Sequence, residues 1–385
     1  MSVEFESTPL PGAPAIDLPE LAARRTQPIA GELRPAFRAS GAATLQLARL
    51  FEPGALCVTT GQQPGMFTGP LFTVYKALSA VALARSWEQA LGRPVVPVFW
   101  VAGDDHDFAE ANHIHLLTTS GDVERLELRP RAPDAPLTPL YQEPVGPEIS
   151  GVLTRLRDAS PETEFKTATV EWLERHYRPE VDLSTAFAGA LAELLGHLGL
   201  VLFLPTAPEA KRLAAPWIAR TLREAGALDQ ALHARARELA AEGKPVPVPV
   251  GDAATPVMIE ASGGRDRLLT AGNGFVTRRS GERWTLADLE ALLGSTPTRF
   301  RPTCCCARPS KPRSCPRWPT SPVPESWRTS RNPTPCLPAS ASYRRPGCHV
   351  GRAASSRRAS PRCSGSSASR RRRWRSPRAN SRRAW

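Results

Sequence analysis

The chain has 385 residues, with 50 lysines and arginines against 37 aspartates and glutamates, for a net charge of +13. That charge is unevenly placed. Residues 303–385 hold 20 basic residues and one acidic residue, Glu325, so residues 1–302 carry about −6 (13 − 19). Seven of the eight cysteines also lie beyond 302, which excludes a disulfide framework for the first part, where Cys57 stands alone. The first twenty residues are acidic and lack an apolar h-region, and no uncharged apolar run reaches the roughly 18–20 residues that span a bilayer. A cytoplasmic protein without a secretory leader or a membrane span is expected.

Residues 31–52 carry helical spacing, with Leu45, Leu47 and Leu50 among small residues. Residues 56–60 (LCVTT) read as a short strand that runs into GQQPG. Residues 70–91 read as a helix, with Pro70 early in it and Gly92 just past its end. Residues 95–101 (VVPVFWV) form an uninterrupted apolar run, the pattern of a parallel strand covered on both faces. Strand, helix and strand in this order predict a βαβ unit and a doubly wound α/β sheet. Residues 113–129 suggest a hairpin turning at Ser120, Gly121 and Asp122. An insertion of linker and helices is expected over about 130–198, with helices near 147–158, 162–177 and 183–198. Residues 200–205 give a third buried strand, followed by helical text from Pro208 to about Gly243. Residues 246–260 and 267–277 return to strand text around an Asn273-Gly274 turn. Thr285 then caps a short helix, with Asp288 three residues on.

Two constellations carry candidate chemistry. The first is TTGQQPGMFTGP, at the first strand-to-helix connection. Gly61, Gly65 and Gly69 permit close backbone approach, Gln62, Gln63 and Thr68 supply polar groups, and the next helix offers free N–H groups for an anion. Lys76, two turns into that helix, is within reach of such an anion. The loop matches neither standard nucleotide fingerprint, and a turn that holds only itself is the plainer alternative. The second is Trp100 followed by Asp104, Asp105, His106 and Asp107, where the second strand ends and open α/β sheets bind ligands. Three carboxylates around one imidazole suit acid–base chemistry or a hard cation. The segment has too few nitrogen and sulfur ligands for zinc, so no metal site is predicted. The plainer alternative is a helix cap by Asp104 or Asp105. His113 and His115 are expected on one face of a strand, and Cys57 as a buried strand residue.

Residues 303–385 admit three readings: a basic arm for nucleic acid, centred on Arg370, Trp374 and Arg375; a disordered Ser/Pro/Arg linker; or text read out of frame. The third explains the Cys304-Cys305-Cys306 run, which the others do not. With GC-rich codons chosen to fit, PRWPTSPVPESWRTSR (residues 316–331), read one nucleotide earlier, can spell PTVAYVAGPGELAYLA, and TCCCARP (residues 303–309) can derive from NVLLRP. The expectation is a low-complexity tail with no packed core and no catalytic role.

VTTGQQPGMFTGPLFTVYKALSAVALA, RPVVPVFWVAGDDHDFAEANHI and GERWTLADLEALLGSTPTRFRP resemble the cysteine-adding enzymes of bacillithiol biosynthesis, the cysteine ligases. The shifted NVLLRP and AYVAGPGELAY text is similar to that family as well. The resemblance covers essentially all of 1–302. It implies a Rossmann-like core with connecting insertions, a helical coiled-coil part missing here, and homodimers in the intact family. It also implies transfer of cysteine onto glucosaminyl-malate, the last step to bacillithiol, by small-molecule chemistry with no nucleic-acid partner. ATP is expected from the reaction type, since an amide needs an activated carboxylate, though no motif shows it. The alternative from another class is a nucleotidyltransferase-like enzyme with a basic nucleic-acid-binding tail.

Overall fold

Three apolar runs separated by helices assemble into a parallel sheet. The computed structural model describes residue 23 and residues 28–132, 135–243, 246 and 250–302. The expectations for 303–385 therefore lie outside the described residues.

A 3-10 turn at Gly31–Ala36 leads into β1 (Phe37–Arg38) and α1 (Ala43–Leu50). The single helix expected over 31–52 is thus broken. Pro35 lies in the 3-10 turn, and Phe37 pairs with Phe203 and packs on its ring at 5.0 Å, so tertiary pairing overrides local helical spacing. Next come β2 (Leu56–Gln62), α2 (Phe72–Leu91) and β3 (Val95–Val101). Helix α2 ends on Gly92, whose φ of 61° suits a residue without Cβ, and its N–H reaches Glu88 O. The chain then forms α3 (Phe108–Ala111), the hairpin β4 (His113–Leu117) and β5 (Val123–Glu127), and helices α4 (Ile149–Ala159), α5 (Lys166–His176) and α6 (Leu183–Leu195). The His113 and His115 rings share one face of the hairpin, 5.3 Å apart.

Strand β6 (Val201–Phe203), shorter than its sequence run, returns the chain to the sheet, and α7 (Pro208–Arg223) and α8 (Ala225–Ala241) follow. The sheet order is β1-β6-β3-β2, with β2, β3 and β6 parallel and β1 antiparallel to β6. Helices cover both faces, as the uninterrupted apolar text of β3 requires. Val96 and Val98 pack with Leu50 of α1 and Ala210 of α7, while Phe99 and Val101 pack with Ala77 and Val81 of α2 and Phe187 and Leu191 of α6. Cys57 is buried in the first of these clusters, and burial pushes its thiol pKa up, as expected for a packing residue. Pro97 is tolerated in a central strand because β6 begins to pair only at Val98.

The strand text after residue 246 builds a separate antiparallel sheet. It comprises β7 (Ala254–Ala261), β8 (Gly264–Ala271), β9 (Gly274–Thr277), β10 (Arg283–Trp284) and, after α9 (Leu286–Ser295), β11 (Phe300–Pro302). Its order is β10-β9-β8-β7-β11. The β8–β9 turn falls on Gly272 and Asn273, one residue before the expected pair, because Ala271 pairs with Gly274. Thr285 caps α9 in a full capping box with Asp288. Among the described residues, no helix is long and apolar enough to cross a membrane.

Candidate functional site

The loop after β2 begins at a close backbone contact. A Cβ on Gly61 would lie 2.7 Å from Trp100 O and 2.8 Å from Trp100 Cβ, so β2 and β3 pair here only because residue 61 has no side chain. Gln62 O then accepts from Ala102 N at 3.0 Å, which joins the two βα loops at their start. Gln63 ties them again, its Nε2 donating to Asp107 O at 3.0 Å. Lys76 Nζ donates to Gln62 Oε1 at 2.9 Å and lies over the Phe72 ring at 5.0 Å; burial lowers its pKa. Residues 61–69 and 104–107 therefore adjoin at the carboxyl edge of one parallel sheet.

Two candidates from the sequence face elsewhere. The Thr68 hydroxyl is buried and donates to Phe67 O at 2.6 Å, so it is spent on the turn itself. Trp100 packs on Phe203, with ring centroids 4.9 Å apart, in the cluster that includes Leu47 and Phe51.

The acidic cluster diverges. Asp104 binds Lys211 of α7 at 2.8 and 3.0 Å, and Arg301 of β11 lies 3.4 Å from its carboxylate and donates to its backbone oxygen at 2.8 Å. Burial works against the Asp104 charge, but Lys211 and Arg301 together hold its carboxyl below the usual carboxylate range. Burial also pulls Lys211 below the usual lysine range, against the pull of Asp104. Arg301 is fully buried and also pairs with Glu260, which accepts from Tyr141 Oη at 2.7 Å. This charged seam joins the parallel sheet to the second sheet.

Asp105 faces the other way. It accepts from its neighbour His106 N at 2.7 Å and sits 3.5 Å from Arg265. Burial opposes its charge, and His106 and Arg265 reverse the balance, so its pKa is lowered. Arg265 Nη1 also lies 3.1 Å from His106 Nδ1. Asp105 Oδ1 lies 3.4 Å from the same Nδ1; a guanidinium only donates and a carboxylate only accepts, so the ring's tautomer decides which of the two it bonds. His106 O is held by Arg131 at 2.7 Å. Asp107 caps α3 through Glu110 N at 3.3 Å, which corrects the expectation that Asp104 or Asp105 would be the cap. The three carboxylates thus form no shared cage, because Asp104 is drawn to Lys211, Asp105 to Arg265 and Asp107 to the α3 cap.

Lys211, Arg301, Glu260, Tyr141, Arg265 and Arg131 escaped the sequence reading. One signal was present: Lys211 falls on the buried stripe of α7 with Ala210, Ala214 and Ile218, and a lysine there requires a buried partner. The others come from segments remote in sequence and carry no local pattern.

Fold and site together define a Rossmann-like α/β protein whose candidate ligand edge is built from the first two βα loops and braced by a second sheet. The family model described as bacillithiol biosynthesis BshC, N-terminal Rossmann-like domain, matches residues 30–310. The chain belongs to the BshC family. A protein of Solibacter usitatus named "Putative cysteine ligase BshC" is 36% identical over 256 residues, covering 66% of this chain and 47% of that protein. A protein of the same name from Salinibacter ruber is 33% identical over 296 residues, covering 73% of this chain and 53% of its own length. The chain spans about half the length of the curated relatives it matches.

Proposed function

We propose that this chain carries the Rossmann-like part of a cysteine ligase that joins cysteine to glucosaminyl-malate, the last step of bacillithiol biosynthesis. The observation that carries the reading is the family match over 30–310, which contains both βα loops of the candidate site. The match ends close to the change of composition at 303, which supports the out-of-frame reading of the tail.

In this reading, residues 61–69 receive the anionic malate-bearing substrate beside the N-terminus of α2, with Gln62, Gln63 and Lys76 as its polar rim. Asp105 and Arg265 fix the His106 ring, which takes the proton that the attacking amine releases as the amide forms. Asp104 serves to hold the seam with Lys211 and Arg301 rather than to touch substrate. Amide formation from a free carboxylate requires activation, and ATP is the expected source. The loop matches neither standard nucleotide fingerprint, so the expectation of ATP rests on the reaction type.

Incubation with cysteine, glucosaminyl-malate and ATP, read by mass spectrometry, tests the proposal. Glucosaminyl-malate gaining one cysteinyl group supports it. No such product, either from the 385-residue chain or from the product of a gene restored by one base near codon 302, rejects it.

A further inference from the structure

The loop after β2 contains a turn that an isolated peptide would not keep. Phe67 at φ 51° and Thr68 at φ 68° both sit in the left-handed region, ahead of Gly69 at φ 72°. There the Cβ of an L residue crowds its own backbone, and such residues persist only where their surroundings over-determine them. Besides the turn's own Gly69 N–H to Met66 O bond at 2.9 Å, one remote side chain hydrogen-bonds both sides of it. Tyr177, which follows α5 and is almost fully buried, accepts the Thr68 N–H at 2.8 Å and donates its phenol hydrogen to Gly65 O at 3.2 Å. Its ring stands edge-on to Phe67, with centroids 5.1 Å apart and planes at 87°. Burial raises the Tyr177 pKa, so the hydroxyl stays protonated and remains a donor.

Tyr177 lies 109 residues from Thr68, in the insertion between β3 and β6. The packing is continuous: Met66, Phe67 and Tyr177 share one core cluster with Leu173 of α5 and Leu183 and Ala186 of α6. We infer that Tyr177 is a positioning residue, which sets the shape of the 61–69 loop through the Phe67–Thr68 turn and so lets the inserted helices fix the ligand edge of the sheet. The inference rests on the proposed ligase reading only where it concerns substrate.

Tyr177→Phe in the full 385-residue chain tests it, since the ring and its packing stay and only the two hydrogen bonds go. Amide hydrogen exchange at Thr68 is expected to quicken by about tenfold or more, with β2 and β3 unchanged. In the cysteine-addition assay, KM for glucosaminyl-malate is expected to rise about tenfold while kcat holds, the signature of lost uniform binding. Thr68→Gly on the Tyr177→Phe background removes the left-handed penalty at residue 68, leaving that at Phe67, and is expected to recover part of KM, which a merely structural tyrosine would not permit. Unchanged exchange at Thr68 overturns the inference, as does an unchanged KM or a KM defect that Thr68→Gly leaves in place. If no cysteine addition is found at all, the ligase reading fails, and the Thr68 exchange rate still decides whether Tyr177 holds the turn.

Discussion

Asp104→Ala lowers the unfolding free energy by about 3–5 kcal/mol, the usual penalty for leaving buried charge without its partner. Lys211, 2% exposed, keeps its hydrogen bond to Phe300 O at 3.3 Å, and Arg301 loses the more distant of its two carboxylates, Asp104 at 3.4 Å, while retaining Glu260. Replacing both ends of the pair, Asp104→Leu with Lys211→Met, costs less than the single change, because the orphaned charge rather than the lost attraction sets the penalty. Urea unfolding of the three proteins measures both effects. The pH dependence has a definite sign. The folded Asp104 pKa lies below the unfolded value of about 3.9, so its contribution is complete above that value and is lost as pH falls through the folded one. Asp104→Ala therefore shows a shallower loss of stability on acidification than the unaltered chain. Equal acid limbs would contradict the ion seam.

Gly61→Ala has the second large effect. The added methyl meets a backbone oxygen and a Cβ of Trp100, neither of which can swing aside like a flexible side-chain end. The β2–β3 ladder must open at its carboxyl end, at a cost of about 1–3 kcal/mol. That lowers Tm by roughly 2–10 °C in a chain of this size. The displacement falls next to Gln62 and Gln63, so ligand affinity falls with it. An unaltered Tm would show that the strands do not approach this closely.

How far the sequence reaches depends on the range of the interaction. Strand β3 was legible because burial on both faces writes an unbroken apolar run, and α9 because Thr285 and Asp288 cap it within one turn. Placing both candidate loops at one edge followed from the βαβ order alone. Strand β1 was not legible: two residues become a strand only because β6 lies beside them, and their own spacing is helical. Strands β7 to β9 were legible as strand text, but β10 and β11 were not, nor was the separate layer, since β7 pairs with β11 across the whole of α9. The Asp104 seam was the least accessible part. Its partners lie 107 and 197 residues away, and only the lysine on an apolar helical stripe hinted at it. The sequence found the acidic cluster, while the opposed pulls of Lys211, Arg265 and the α3 cap separated its members.

Residues 61–69 and 104–107 are proposed to form one ligand edge. Hydrogen–deuterium exchange of the 385-residue chain with and without glucosaminyl-malate tests it most directly. Protection is predicted in peptides covering 61–76 and 102–108 together. Protection confined to the second sheet, or to one of the two loops without the other, would contradict a shared site.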